Sequence, residues 1–166
     1  MEAAWGGAPF LPKDHAMTQT ARVDFPKLAP KAYQNLRQLS TGLRRDLLSP
    51  RLIELVFLRV SQINGCAFCM DMHWRDLMKL EMDPRHANAV AGWREAPFFD
   101  ERERAALEWA EIVTAIPASH PGDEAFARLH ARFSDEEIAE LAFVISTINA
   151  WNLICVSLRN PIPAKA

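Results

Sequence analysis

The chain lacks an excess of charge of either sign: 19 Lys and Arg stand against 21 Asp and Glu in 166 residues, a formal net charge of −2. It therefore has no basic field with which to hold a phosphate backbone, and nucleic acid is not expected as a partner. Cysteine is scarce, with three residues in all, an odd number too small for a disulfide scaffold. The first residues lack a basic start followed by an apolar run, so no secretory signal is evident and a cytoplasmic location is expected. No segment alternates β-branched with polar residues, and no internal repeat or low-complexity tract is found.

Long apolar runs are also wanting, apart from one. Leu141 to Leu158 carries no charge and approaches the length of a membrane span, but it contains Ser146, Thr147, Asn149, Asn152 and Ser157, and Glu137 and Glu140 stand just before it. That polarity suits a helix of a protein core or subunit interface, and no membrane partner is expected.

What is present is an ordinary globular composition, 49% apolar and 24% charged, in a length that suits one domain. Residues 1–16 read as an extension, poorly ordered or not native, with Met17 as the natural start. Residues 17–166 form the helical domain. An all-α bundle of six or seven helices is expected. Leu28, Ala32, Leu36 and Leu39 recur at helical spacing in a first helix from Pro26 to near Gly42. Ser49-Pro50 opens a second helix that ends at Asn64-Gly65. A third runs from about Cys66 to Leu80, and Asp83-Pro84 starts a short one to Gly92. Asp100 with Glu103 and Ser134 with Glu137 have the spacing of capping boxes. The first opens a helix that stops before Pro117, and the second opens the apolar last helix, to about Arg159. Glu124 to Phe133 lies between them.

Cys66, Cys69 and His73 are separated by three and then four residues, so on a helix they fall within roughly 60° of one another. A cysteine at a helix start meets unpaired backbone N–H groups and the positive end of the macrodipole, which favour the thiolate. If Asn64-Gly65 folds the second and third helices into a hairpin, Glu54 and His73 lie about nine residues either side of the bend, at similar height. The carboxylate then holds the imidazole, which takes the thiol proton: a Glu–His–Cys relay. Two blander readings stand beside it. Cys66, Cys69, His73 and Glu54 could together ligate zinc, or the thiols could be inert core residues, as Cys155 is expected to be. Asn149 and Asn152 either bond a neighbouring helix or, with Trp151, line the pocket beside the thiols.

The run from Leu52-Ile53-Glu54-Leu55-Val56 through Asn64-Gly65-Cys66-Ala67-Phe68-Cys69 to Met70-Asp71-Met72-His73 resembles the core of the AhpD-like alkylhydroperoxidases of the carboxymuconolactone decarboxylase superfamily. Its spacing is E-x11-C-x2-C-x3-H. Glu101 to Leu107 and Ile148 to Asn152 look like the same family, so the similarity spans about Phe25 to Arg159. Phe68 departs from it where well-studied members carry histidine, and Leu153 where relatives often have arginine.

The resemblance implies that peroxide oxidises Cys69 to a sulfenic acid, that Cys66 resolves it as a disulfide, and that Glu54 and His73 move the proton. It also implies a helical fold assembling as trimers or hexamers, with no metal or organic cofactor. The expected function is a thiol peroxidase for hydrogen peroxide or small alkyl hydroperoxides, recycled by a dithiol or thioredoxin-like reductant. The alternatives are a disulfide reductase for a partner peroxiredoxin and a non-catalytic redox-sensing assembly protein.

Overall fold

A computed structural model describes residues 20–43, 46–116, 118 and 120–163. The expected extension, residues 1–16, and the start at Met17 lie outside the described residues. The elements in chain order are α1 (Phe25–Leu28), α2 (Pro30–Gly42), α3 (Pro50–Ile63), α4 (Ala67–Lys79), α5 (Pro84–Ala89) with a 3-10 turn (Val90–Gly92), α6 (Glu101–Thr114), α7 (Asp123–His130) and α8 (Asp135–Ser157). There is no strand among the described residues.

The single first helix expected from the leucine spacing is two helices. Pro30 supplies no N–H and disfavours helical geometry at the residue before it. Ala29 accordingly takes φ −129° and ψ 57°, closing α1 and opening α2. The remaining starts follow their caps. The Ser49 side chain accepts from the Leu52 N–H, and the Asp100–Glu103 and Ser134–Glu137 pairs both form complete capping boxes.

The centre of the bundle is α3, which buries residues on every side, including Ile53, Leu55, Val56 and Val60. A helix apolar all round needs neighbours all round, and α3 packs against α4, α6 and α8. Its polar side chains show the directions. Arg51 pairs with Glu103 and Arg59 with Glu111, each at 2.7 Å. The equal steps of eight residues mean that α3 and α6 run parallel. Ser61 bonds Asn152 and Asn64 bonds Asn149, an inverse order that makes α8 antiparallel to α3.

Among the described residues, α8 alone is long and apolar enough to cross a membrane. It lies against α3, α4 and α6, with Leu141, Val144, Ile145 and Ile148 in the core.

Candidate active site

The site is built on the bend between α3 and α4. Asn64 closes α3, and Gly65 takes φ +66°, the left-handed conformation that glycine adopts without a Cβ clash. The Gly65 N–H donates to the Gln62 carbonyl at 3.3 Å and the Cys66 N–H to the Ser61 carbonyl at 3.0 Å. This pair of bonds is a Schellman motif, and it satisfies the carbonyls that the helix end would orphan. The next residue boundary is already a helix start, because Cys66 is the N-cap of α4 and its sulfur accepts the Cys69 N–H at 3.3 Å. Cys66 and Cys69 are joined as a disulfide, with Cα atoms 5.3 Å apart, and both residues are 1% exposed.

Nine residues before the bend, the Glu54 carboxylate on α3 meets His73 on α4. The His73 Nδ1–H donates to Glu54 Oε2 at 2.8 Å, with both residues buried. A carboxylate only accepts, so the proton of this bond belongs to the imidazole. The other ring nitrogen, Nε2, is buried and has no hydrogen-bond partner. In neutral His73 it therefore carries the lone pair, which suits it to take a proton. The ring is held from the side by Phe57, centroids 4.8 Å apart. Two helices thus fix the imidazole in one orientation and one tautomer.

Cys69, His73 and Glu54 open onto one cavity of about 600 Å³. Phe57, Phe68, Met72, Ile148 and Trp151 give it an apolar wall, and Phe25, Tyr33, Arg37 and Ser40 of α1 and α2 cover it. The cover is fastened by the Trp151 Nε1–H, which donates to Ser40 Oγ at 2.7 Å, and by the edge-on contact of Tyr33 with the Trp151 ring. A smaller cavity of about 300 Å³ is lined by Cys66, Phe68, Cys155 and the Arg159–Ile162 segment.

Of the three residues expected beside the thiols, Trp151 lines the larger cavity and Asn149 and Asn152 do not. The two amides are used in bonding instead. Asn64 Nδ2 donates to the side-chain oxygens of Asn149 (2.8 Å) and Asn152 (3.0 Å), and Asn152 Nδ2 donates to Ser61 Oγ. Asn149 Nδ2 donates to Thr114 Oγ1 and to the Ile145 carbonyl. They tie the bend that carries Cys66 to α8.

Sequence reasoning missed other residues. Asp76, one turn beyond His73, brings a carboxylate within 4.8 Å of the ligand atoms of Glu54 and His73, and only its spacing of three from the histidine could have pointed to it. Cys155 brings its sulfur within 4.8 Å of those of Cys66 and Cys69. No spacing could reveal that contact, since the residues lie on helices far apart in sequence. Burial pushes the Cys155 thiol up to about 11 from its usual 9.0, so it is a neutral thiol at physiological pH. These two groups of three are the ones able to hold a metal ion among the described residues.

An all-helical bundle that seats a cysteine pair at a helix start, beside a buried carboxylate–imidazole pair, defines a class of thiol/disulfide protein. A model of the Carboxymuconolactone decarboxylase family matches residues 30–111. The uncharacterized protein YdfG of Bacillus subtilis is 32% identical over 144 residues, which cover 87% of this chain and 98% of that one. A crystal structure from Agrobacterium tumefaciens, of a protein of unknown function described as a candidate AhpD antioxidant defence protein, superposes with a TM-score of 0.84. It is 38% identical, covering 88% of this chain and 100% of that one. The debrominase Bmp8 shares the fold, with a TM-score of 0.71 at 24% identity over 84% of this chain and 73% of that one. The chain belongs to the carboxymuconolactone decarboxylase family, among its AhpD-like members.

Proposed function

We propose that the protein is a thiol peroxidase acting on hydrogen peroxide or small organic hydroperoxides. The observation that carries this reading is the shared cavity: Cys69, with Cys66 bonded to it, and the Glu54–His73 pair line one largely apolar space. The description of the Agrobacterium relative as a candidate antioxidant protein supports it.

In the dithiol state His73 Nε2 takes the Cys69 proton, and the α4 N-terminus favours the resulting thiolate. The thiolate sulfur attacks one peroxide oxygen and the O–O bond breaks. The departing oxygen takes the proton from His73 and leaves as water or an alcohol, and Cys69 becomes a sulfenic acid. The Cys66 sulfur then attacks Cys69, its proton leaves with the hydroxyl as water, and the disulfide forms. A small dithiol reductant restores the two thiols by exchange. Glu54 keeps the imidazole in the tautomer that this sequence needs.

The near-complete burial of both cysteines favours a small peroxide over a protein disulfide as the oxidant, which sets this reading ahead of reductase action on a partner peroxiredoxin. A subunit assembly in the cytoplasm is part of the proposal. Phe143, Leu153 and Val156 of α8 are 57%, 72% and 47% exposed, an apolar strip of the kind subunits cover.

The deciding experiment is steady-state peroxide consumption with a dithiol reductant. The wild type turns over, Cys69→Ser is inactive, and Cys66→Ser reacts once and then stalls with a trappable sulfenic acid on Cys69. Equal activity in both variants, or none in the wild type, overturns the assignment.

A further inference from the structure

The peroxidase reading uses two cysteines and leaves the third without a task. Yet the sulfurs of Cys66, Cys69 and Cys155 all lie within 4.8 Å of one another. The three residues are 1%, 1% and 5% exposed. Two sulfurs come from the start of α4 and one from the end of α8, so the group is assembled by the tertiary fold. Cys155 borders both cavities, the larger one with Cys69 and the smaller with Cys66, so small molecules have a way to the cluster.

We propose that the reduced protein has a three-sulfur site for trivalent arsenic, taken up as arsenous acid. Charge decides between ligands. Arsenous acid is neutral, the three cysteines together with His73 hold the three protons that leave as water, and the product, one arsenic on three sulfurs beside a neutral imidazole, is neutral as well. Three As–O bonds break, three As–S bonds form and three waters leave. The arsenic stays trivalent and no sulfur is oxidised. A divalent ion on three thiolates would carry a net negative charge into apolar surroundings, where charge is costly, and zinc would want a fourth ligand. Pyramidal trivalent arsenic needs three, and the cluster supplies three sulfurs without a carboxylate or imidazole in the set. The site exists only in the dithiol state, which a dithiol or phosphine reductant produces by opening Cys66–Cys69. Arsenic bound there occupies both redox thiols.

The test uses the whole chain, reduced with a phosphine, freed of reductant and titrated with arsenite without air or peroxide. One arsenite per chain is expected to remove all three titratable thiols, and X-ray absorption at the arsenic edge should report three sulfur neighbours. Cys155→Ser should bind arsenite at least about tenfold more weakly. Phenylarsine oxide, which needs only two thiols, should bind both proteins equally and shows that Cys66 and Cys69 remain available in the variant, while an unchanged helical circular dichroism spectrum shows that it is folded. Loss of only two thiols in the wild type, two sulfur neighbours, or equal arsenite affinity in Cys155→Ser overturns the proposal. The thiol count on the wild type needs no variant. No peroxide enters the assay, so failure of the peroxidase reading and failure of this one are separate results.

Discussion

Glu54 and His73 meet at 2.8 Å across a bend whose turning point is a single glycine in the left-handed conformation. The bond spans 19 residues of sequence and joins two antiparallel helices one turn of α4 beyond Cys69. If the pair governs the Cys69 proton, its loss should show in the pH dependence of the first oxidation step. In Glu54→Gln and His73→Gln, the pH at which Cys69 becomes reactive toward peroxide should rise, measured by single-turnover kinetics of the reduced protein. His73→Gln should have the larger effect, since it removes the base itself. An unchanged pH profile in both counts against the relay.

Cys155 links burial to alkaline stability. Its thiol ionises at about 11 in the folded chain, against 9.0 when unperturbed. A group whose folded value is raised contributes stability that is complete below the unperturbed value and is lost as pH rises through the folded one. The stability difference between the wild type and Cys155→Ala, both kept oxidised, should therefore shrink between pH 9.0 and about 11. Urea unfolding across that range measures it, and a constant difference would show that the thiol is not desolvated.

Glu111 is a hub joining α3, the segment after α5, and α6. It accepts from Arg59 at 2.7 Å, Trp93 Nε1 at 2.9 Å and Arg94 at 2.6 Å. Burial alone would raise its carboxyl pKa, but the bonds from Trp93, Arg94 and Arg59 outweigh burial and hold it below the usual 4.5. The stability this gives is present above pH 4.5 and is lost as the pH falls through the lowered value. Glu111→Gln should cost about 1–3 kcal/mol at neutral pH, and its deficit against the wild type should narrow in acid. Paired denaturant curves at neutral and acid pH are the measurement.

Glu81 carries φ 56° at the end of α4. The Glu81 N–H bonds the Met78 carbonyl and the Met82 N–H the Leu77 carbonyl, the same motif that glycine serves at position 65. A Cβ in the left-handed region costs about 1 kcal/mol or more, and the gain on removing it is reduced by the extra chain entropy of glycine. Glu81→Gly should stabilise the protein by about 0.5–1 kcal/mol, read as a higher urea midpoint at unchanged slope. A lower midpoint would mean that the glutamate side chain matters to the turn.

The apolar strip on α8 gives a prediction about assembly. Leu153, at 72% exposed, is the natural place for a charge. Leu153→Glu should convert an oligomer into a monomer in light scattering while leaving the helical circular dichroism unchanged. A wild type that scatters as a monomer removes the assembly from the proposal.

Much of this architecture was legible in the sequence because its signals are local. Ser49-Pro50, Asp100 with Glu103, and Ser134 with Glu137 mark helix starts through side chains one turn away, and all three caps form. The rise per residue of a helix is enough to carry Glu54 and His73 to the same level either side of Asn64-Gly65. What was not legible had non-local or masked causes. Leucine periodicity ran across Pro30 and concealed the break at Ala29. Arg159 has no compositional mark of the left-handed turn it makes at the end of α8. The fate of Asn149 and Asn152 depended on Asn64 and Ser61, 85 and 91 residues away along the chain. The approach of Cys155 to the vicinal pair is likewise a product of tertiary packing.

The Cys66 sulfur has two occupations, as one end of the disulfide and as the acceptor that starts α4. Reduction converts that acceptor from a disulfide sulfur to a thiol or thiolate, and a thiolate draws the Cys69 amide more strongly. The backbone at the head of the helix therefore senses the electron count of the neighbouring bond. Deuterium uptake at that one amide would report whether the pair is oxidised or reduced.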